Sequence, residues 1–289
     1  MSNKKNPEKH SKFIGVDVGG TNVRAGLVQN GRILTLQARP ISSKAKRTVI
    51  VDEICQTIAT VLQPGTRGIG IGVPSLVDAK TGIVYSVHNI PSWRAVSLKK
   101  MVEQRFGLPV FLNNDANCFM LGEFLFGMAR GYRHIVGLVA GTGLGAGVII
   151  NGKLYSGSNG GVGEIGAVSY KGKDFEYFCS GQFFLREFGI DAATLQRQAD
   201  GGDRKAREMF AAFGDHFAEV IMTLLYVYDP EIIVLGGSVN KAYPYFEKRM
   251  WKKLRGFDFQ NSLKKLVIAQ TKKPNIAVLG AAALCLDNQ

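Results

Sequence analysis

The stretch GVDVGGTNVRAGLV, Gly15 to Val28, constrains this chain more than any other part of it. An apolar run ends in a carboxylate, a glycine pair and a hydroxyl, and a second run with strand-like alternation follows. That order predicts a β-hairpin rather than a Rossmann strand-turn-helix, and no GxxxxGK[ST] phosphate loop occurs anywhere. Gly19 and Gly20 carry no β-carbon, so the turn can adopt positive φ and bring N–H groups to phosphate oxygens. Asp17 and Thr21 offer hard oxygens suited to Mg²⁺. An ordinary hairpin turn with a solvated aspartate accounts for the same residues.

A second turn of this kind lies in GLVAGTGLGAGVII, where Gly141, Thr142 and Gly143 separate two apolar runs. Two such hairpins, roughly 120 residues apart, predict two similar half-structures facing a shared cleft. A third turn, IIVLGGSV, exposes backbone at Gly236 and Gly237, against which a purine could lie. Between these turns, residues 13–39 read as two or three strands, 48–62 as a helix, 68–73 and 109–113 as strands and 116–128 as a helix. The longest helical pattern covers 203–228 and stops at Asp229 and Pro230. In LNNDANCF, Asp115 stands where a strand gives way to a helix. A carboxylate there can accept the proton of an attacking hydroxyl, and it can equally cap the helix.

In the order and spacing of these motifs the chain resembles the ROK family of sugar kinases, within the actin-like ATPase and hexokinase superfamily. IGIGVPSLVD (residues 69–78) resembles the family's first connecting segment, and VLGAAALCL (278–286) its closing helix. The resemblance implies an α/β fold of two actin-like (ribonuclease H-like) domains, with mixed sheets flanked by helices and with ATP and sugar in the interdomain cleft. A disordered basic tail over 1–12 would precede an N-terminal domain over 13–115, completed by the helix at 277–289. Residues 116–276 would form the C-terminal domain, with the hinge near Asp115.

The implied activity is ATP-dependent phosphorylation of a hexose or N-acetylhexosamine, glucokinase-like, by a homodimer. Asp115 matches the family's catalytic base. Sugar hydroxyls both donate and accept, so amides and carboxylates suit them, and Asn89, Asn114, Asp115, Glu164 and Glu176 match or adjoin the family's sugar site; Ser75 stands where the family commonly has glycine, and its hydroxyl could contact the sugar or narrow the site. Mg²⁺-ATP would be held by Asp17, Gly19, Gly20, Thr21, Asn22, Gly141, Thr142, Gly143, Gly236 and Gly237, with Asp17 reaching the metal through water.

One departure falls at the sugar end. Where the family commonly reads GEIGH followed by a cysteine cluster that binds zinc, this chain has Ala167, and no cysteine lies between it and Glu176. Three or four soft ligands are needed for a closed zinc site, so no zinc is expected. The lost histidine also favours a rival reading, a sugar-sensing regulator with weak catalysis and no DNA-binding domain.

The net charge of +13 raises nucleic-acid binding as a third class. Much of the excess lies between Lys248 and Lys273 without interleaved stacking aromatics, which reads as a solvated basic face, and no nucleic-acid partner is expected. No apolar run reaches membrane-spanning length, so no membrane partner is expected either. The four scattered cysteines form no CxxC pair, as in a chain kept in a reducing cytoplasm.

Overall fold

The computed structural model describes residues 11–85 and 90–286, so residues 1–10 of the expected tail and Asn89 lie outside them, while Lys12, expected in that tail, begins the first strand. The chain divides into two compact units. One comprises Met1–Arg130, Ser156–Gly161 and Lys273–Gln289, the other Gly131–Tyr155 and Val162–Lys272.

The first unit is built from β1 (Lys12–Val18), β2 (Asn22–Gln29), β3 (Arg32–Pro40), α1 (Arg47–Val61), β4 (Thr66–Val73), β5 (Leu76–Asp78), β6 (Ile83–Tyr85), β7 (Ala95–Val96), α2 (Leu98–Phe106), β8 (Val110–Asn114) and α3 (Asp115–Phe126). Its main sheet runs β3-β2-β1-β4-β8. The first three strands are antiparallel, while β4 and β8 add in parallel. Ile14, Val16, Val18, Ile69, Ile71 and Val73 are fully buried, as expected of central strands covered on both faces. The edge strand β3 instead alternates polar residues, is mostly exposed and closes on Pro40, features that discourage further pairing. In α1, Ile50, Ile54, Ile58 and Val61 recur at helical spacing and are buried. β5, β6 and β7 make a separate small sheet.

The second unit contains β9 (Ile135–Ala140), β10 (Leu144–Ile150), β11 (Lys153–Leu154), β12 (Ser169–Tyr170), β13 (Lys173–Asp174), α4 (Phe175–Cys179), α5 (Gln182–Phe188), α6 (Ala192–Asp200), α7 (Arg204–Tyr228), β14 (Ile232–Gly236), α8 (Tyr243–Leu254), α9 (Gln260–Lys265) and β15 (Val267–Gln270). Its sheet runs β11-β10-β9-β14-β15, again three antiparallel strands followed by two added in parallel. The two units thus repeat one topology, as the paired glycine turns predict. Asp203 caps α7 by accepting from Ala206 N at 3.0 Å, and the helix stops at Asp229, in the left-handed region at φ 41°. Among the described residues α7 is the helix long and apolar enough to cross a membrane, yet Phe210, Phe213, Phe217, Ile221 and Leu224 bury one face of it in the core of this unit.

The chain then returns to the first unit with α10 (Ile276–Ala283). This helix touches backbone directly: a β-carbon on Gly70 would lie 1.8 Å from Ala281 O, and one on Gly280 would lie 1.7 Å from Cys118 O. Such contacts tie α10 to β4 and α3. They also hold α3 within the first unit, so the compact unit extends past the expected division at Asp115 to Arg130.

Candidate functional site

In the first unit the candidate residues gather at the carboxyl ends of the parallel strands, where open α/β sheets place ligands. Register aligns Asp17 of β1 with Gly72 of β4, and Gly72 with Asn113 of β8. Gly19 N donates to Asn22 O at 2.8 Å, closing the turn at Gly19–Asn22, and Thr21 and Asn22 are exposed there. Neither Gly19 nor Gly20 adopts positive φ. Their value is therefore the bare backbone they present, not the left-handed conformation the sequence allows. Burial pushes the Asp17 carboxyl up, against a lowering by Arg24, whose guanidinium lies 3.4 Å away. A carboxylate so desolvated gains from a further cation, and with the Thr21 hydroxyl close in sequence it forms a donor set that fits magnesium.

Asp115 sits on the first turn of α3, but the cap of that helix is Asn114. The Asn114 carboxamide oxygen accepts from Ala116 N at 2.8 Å and from Asn117 N at 3.4 Å. Asp115 Oδ1 also accepts from Ala116 N at 2.8 Å, so its carboxylate shares in the helix start beside the Asn114 cap. One Asn114 amide N–H reaches Ser75 O at 3.2 Å, so this side chain already holds both the helix start and the segment after β4. Asn113 Oδ1 accepts from Asn114 N and from Asn117 Nδ2, each at 2.8 Å. Ser75 donates its hydroxyl to Tyr85 O, which bridges β5 and β6. The buried Cys118 lies below, and both Asp115 and Asp17 push its thiol up, after burial itself. Sequence reasoning overlooked Asn113, Asn117 and Arg24, although NNDAN carries three asparagines in five residues.

In the second unit the turns after β9 and β14 come together because those strands are parallel neighbours. Gly237 has φ 82°, and a β-carbon there would lie 2.1 Å from Ala140 O. Only glycine fits. Gly141 N donates to Gly143 O at 2.9 Å, and Gly181 N donates to Gly141 O at 2.7 Å, which brings the α4–α5 junction onto the same turn; Thr142 is exposed at its tip. Beside it Ser180 is fully buried and its hydroxyl has no hydrogen-bond partner among the described residues.

Glu176, on α4, accepts from Leu144 N at 3.0 Å, which attaches the carboxylate to the far side of the Gly141–Gly143 turn. Glu164 precedes a 3-10 turn, Ile165–Ala167. That turn packs so closely that a β-carbon on Gly166 would lie 2.3 Å from Leu144 O and 3.4 Å from Glu176 Cβ. Although Glu164 as a residue is exposed, local desolvation pushes its carboxyl up and the Glu176 carboxylate adds to the shift. Two carboxylates near a glycine turn suit a polyhydroxylated ligand. Ala167 stands at the end of the 3-10 turn and Cys179 is fully buried. No group of three His, Cys, Asp or Glu side chains among the described residues is placed to hold a metal.

The chain is similar to known proteins over most of its length. A family model described as ROK family matches residues 13–288. A glucokinase of Thermotoga maritima is 33% identical over 264 residues, covering 80% of this chain and 83% of that protein. An N-acetyl-D-glucosamine kinase of Pectobacterium carotovorum is 31% identical over 260 residues, covering 79% and 84%. Among solved structures, a ROK family glucokinase from Streptomyces griseus in complex with glucose and AMPPNP superposes with a TM-score of 0.84 at 28% identity, over 95% of this chain and 99% of that one.

Proposed function

The chain belongs to the ROK family, and from that premise we propose that it is an ATP-dependent kinase of a hexose or N-acetylhexosamine, with Asp115 as general base. The observation that carries this reading is the asparagine framework of NNDAN. Asn114 occupies the cap of α3 and Asn113 braces Asn117, which supports Asp115 on the first turn of α3, directly after the carboxyl end of β8. The names of the glucokinase and N-acetylglucosamine kinase relatives support the substrate class.

In the proposed reaction the acceptor hydroxyl gives its proton to Asp115 while its oxygen attacks the γ-phosphoryl group. The bond from that phosphorus to the bridging oxygen breaks, and ADP leaves. Gly19, Gly20, Thr21, Asn22, Gly141, Thr142 and Gly143 present backbone or hydroxyl groups to the phosphates, and Gly236 and Gly237 a bare surface to the nucleoside. Asp17, through water, would hold magnesium, which when bound neutralises phosphate charge. Glu164 and Glu176 accept hydrogen bonds from sugar hydroxyls, with Asn89 and Ser75 as further contacts. Asn114 acts mainly by holding Asp115 in place.

The test is a coupled assay of ADP release across a panel of hexoses and N-acetylhexosamines. At least one sugar is expected to be phosphorylated. Asp115→Ala should lower kcat about 10²- to 10⁴-fold, the usual worth of a positioned base, while sugar binding persists. Turnover by that variant near the wild-type rate would remove Asp115 from the role.

A further inference from the structure

Resting on the sugar-kinase reading, we propose that Tyr170 and His216 are positioning residues for the sugar-binding carboxylates Glu164 and Glu176. The two glutamates are joined by the 3-10 turn Ile165–Ala167 and the hairpin β12–β13, whose strands are two residues each. A hairpin so short cannot hold itself in water. Residues 167–175 contain no cysteine and no histidine, the ligands a structural zinc site uses. Local bonds stiffen its ends: Asp174 caps α4 through Tyr177 N at 2.7 Å, and Phe175 N donates to Val168 O at 2.9 Å.

What anchors the hairpin to the rest of the unit is Tyr170. Its ring stacks on Phe175 at 4.9 Å and meets Phe178 and His216 edge-on at 5.3 and 5.7 Å. Its hydroxyl lies 3.1 Å from His216 Nδ1. His216 belongs to α7, the core helix, and is itself packed against Phe178 at 4.7 Å and Phe183 at 5.5 Å. Burial pushes the Tyr170 phenol up to about 12, with Glu219, Cys179 and Asp215 adding to it. Burial likewise lowers His216, helped by Lys171 and Lys253 and opposed by Asp215 and Glu187. Both groups are therefore neutral near pH 7, and phenol and imidazole share one hydrogen bond whose direction follows the imidazole tautomer. One hydrogen bond and a cage of rings thus fix the segment that carries Glu164 at one end and Glu176 at the other.

The experiment compares wild type with Tyr170→Phe, His216→Phe and the double variant, each of which keeps the rings and removes the hydrogen bond. Sugar KM is expected to rise about 3- to 10-fold in each single variant, the worth of one hydrogen bond. kcat and the ATP KM should stay within about twofold, and the double variant should be no worse than the worse single one, as for two ends of a single interaction. An unchanged sugar KM, or sugar and ATP KM rising together, would overturn the proposal, as would multiplied effects in the double variant. A wild type that binds a sugar from the panel without phosphorylating it overturns the kinase reading alone, because the same comparison is then made on the sugar's dissociation constant. A wild type that binds none overturns both.

Discussion

Glu164 carries a cost that its proposed task explains. Its carboxyl is pushed above the ordinary 4.5 by desolvation and by Glu176, so the folded protein binds its proton more tightly than the unfolded chain does. The associated stability is complete below the unfolded value and is lost as pH rises through the folded one. Glu164→Gln, which never acquires the charge, should therefore melt higher than wild type at about pH 8, with the gap closing toward about pH 4. The same substitution should weaken sugar binding. Thermal scans across pH and calorimetric titration check the two halves, and a glutamine variant that melts lower at alkaline pH would refute the electrostatic account. At this scale the sequence shows the acidic and glycine positions but not their pairing. Nothing in NNDAN says that Asn114 rather than Asp115 caps α3, because either residue type serves; the bond from Asn114 to Ser75 spans 39 residues.

Among the elements, α10 is the one whose packing leaves no tolerance. Gly280→Ala would drive a β-carbon into Cys118 O, 1.7 Å away, at the contact with α3. Backbone cannot yield as a flexible side chain does, so a loss of about 1–3 kcal/mol or more is expected, measurable as a lower denaturant midpoint. An unshifted midpoint would mean that the two helices separate freely. Long elements with a clear period were legible in the sequence: α1, α7 and the strands bounding the three glycine turns lie within a few residues of their expected limits. The small sheet β5–β7, the hairpin β12–β13 and the short helices α4, α5 and α6 were not. Strands of two or three residues show no period, and α4 and α5 are too short to form on propensity alone. The small sheet, the hairpin and α4 are fixed by bonds from Ser75 to Tyr85, Tyr170 to His216 and Leu144 to Glu176, which no local pattern reveals. The limit of the first unit was hidden for the same reason, since it depends on which helix α10 packs against.

For the molecule as a whole, the formal net charge is +13. Lys248, Lys252 and Arg255 are exposed on or just after α8, and among the described residues none forms an ion pair within 4.0 Å, unlike Lys253 with Glu219 or Arg249 with Asp215. A field of this sign should speed capture of an anionic nucleotide and fade with added salt. The ATP KM is expected to rise about three- to tenfold between low and physiological ionic strength while kcat holds, and Lys248→Ala/Lys252→Ala/Arg255→Ala should flatten that slope. Kinetics at a series of sodium chloride concentrations decide it; a salt-independent KM removes steering. The first unit is also assembled from three separated stretches of chain, with α10 laid over β1 and β4 after the entire second unit has intervened. During synthesis, then, the sheet bearing Asp17 leaves the ribosome long before α10, the helix that packs on β1 and β4. Throughout translation of the second unit, the parts of β1 and β4 on which α10 packs lack that native cover.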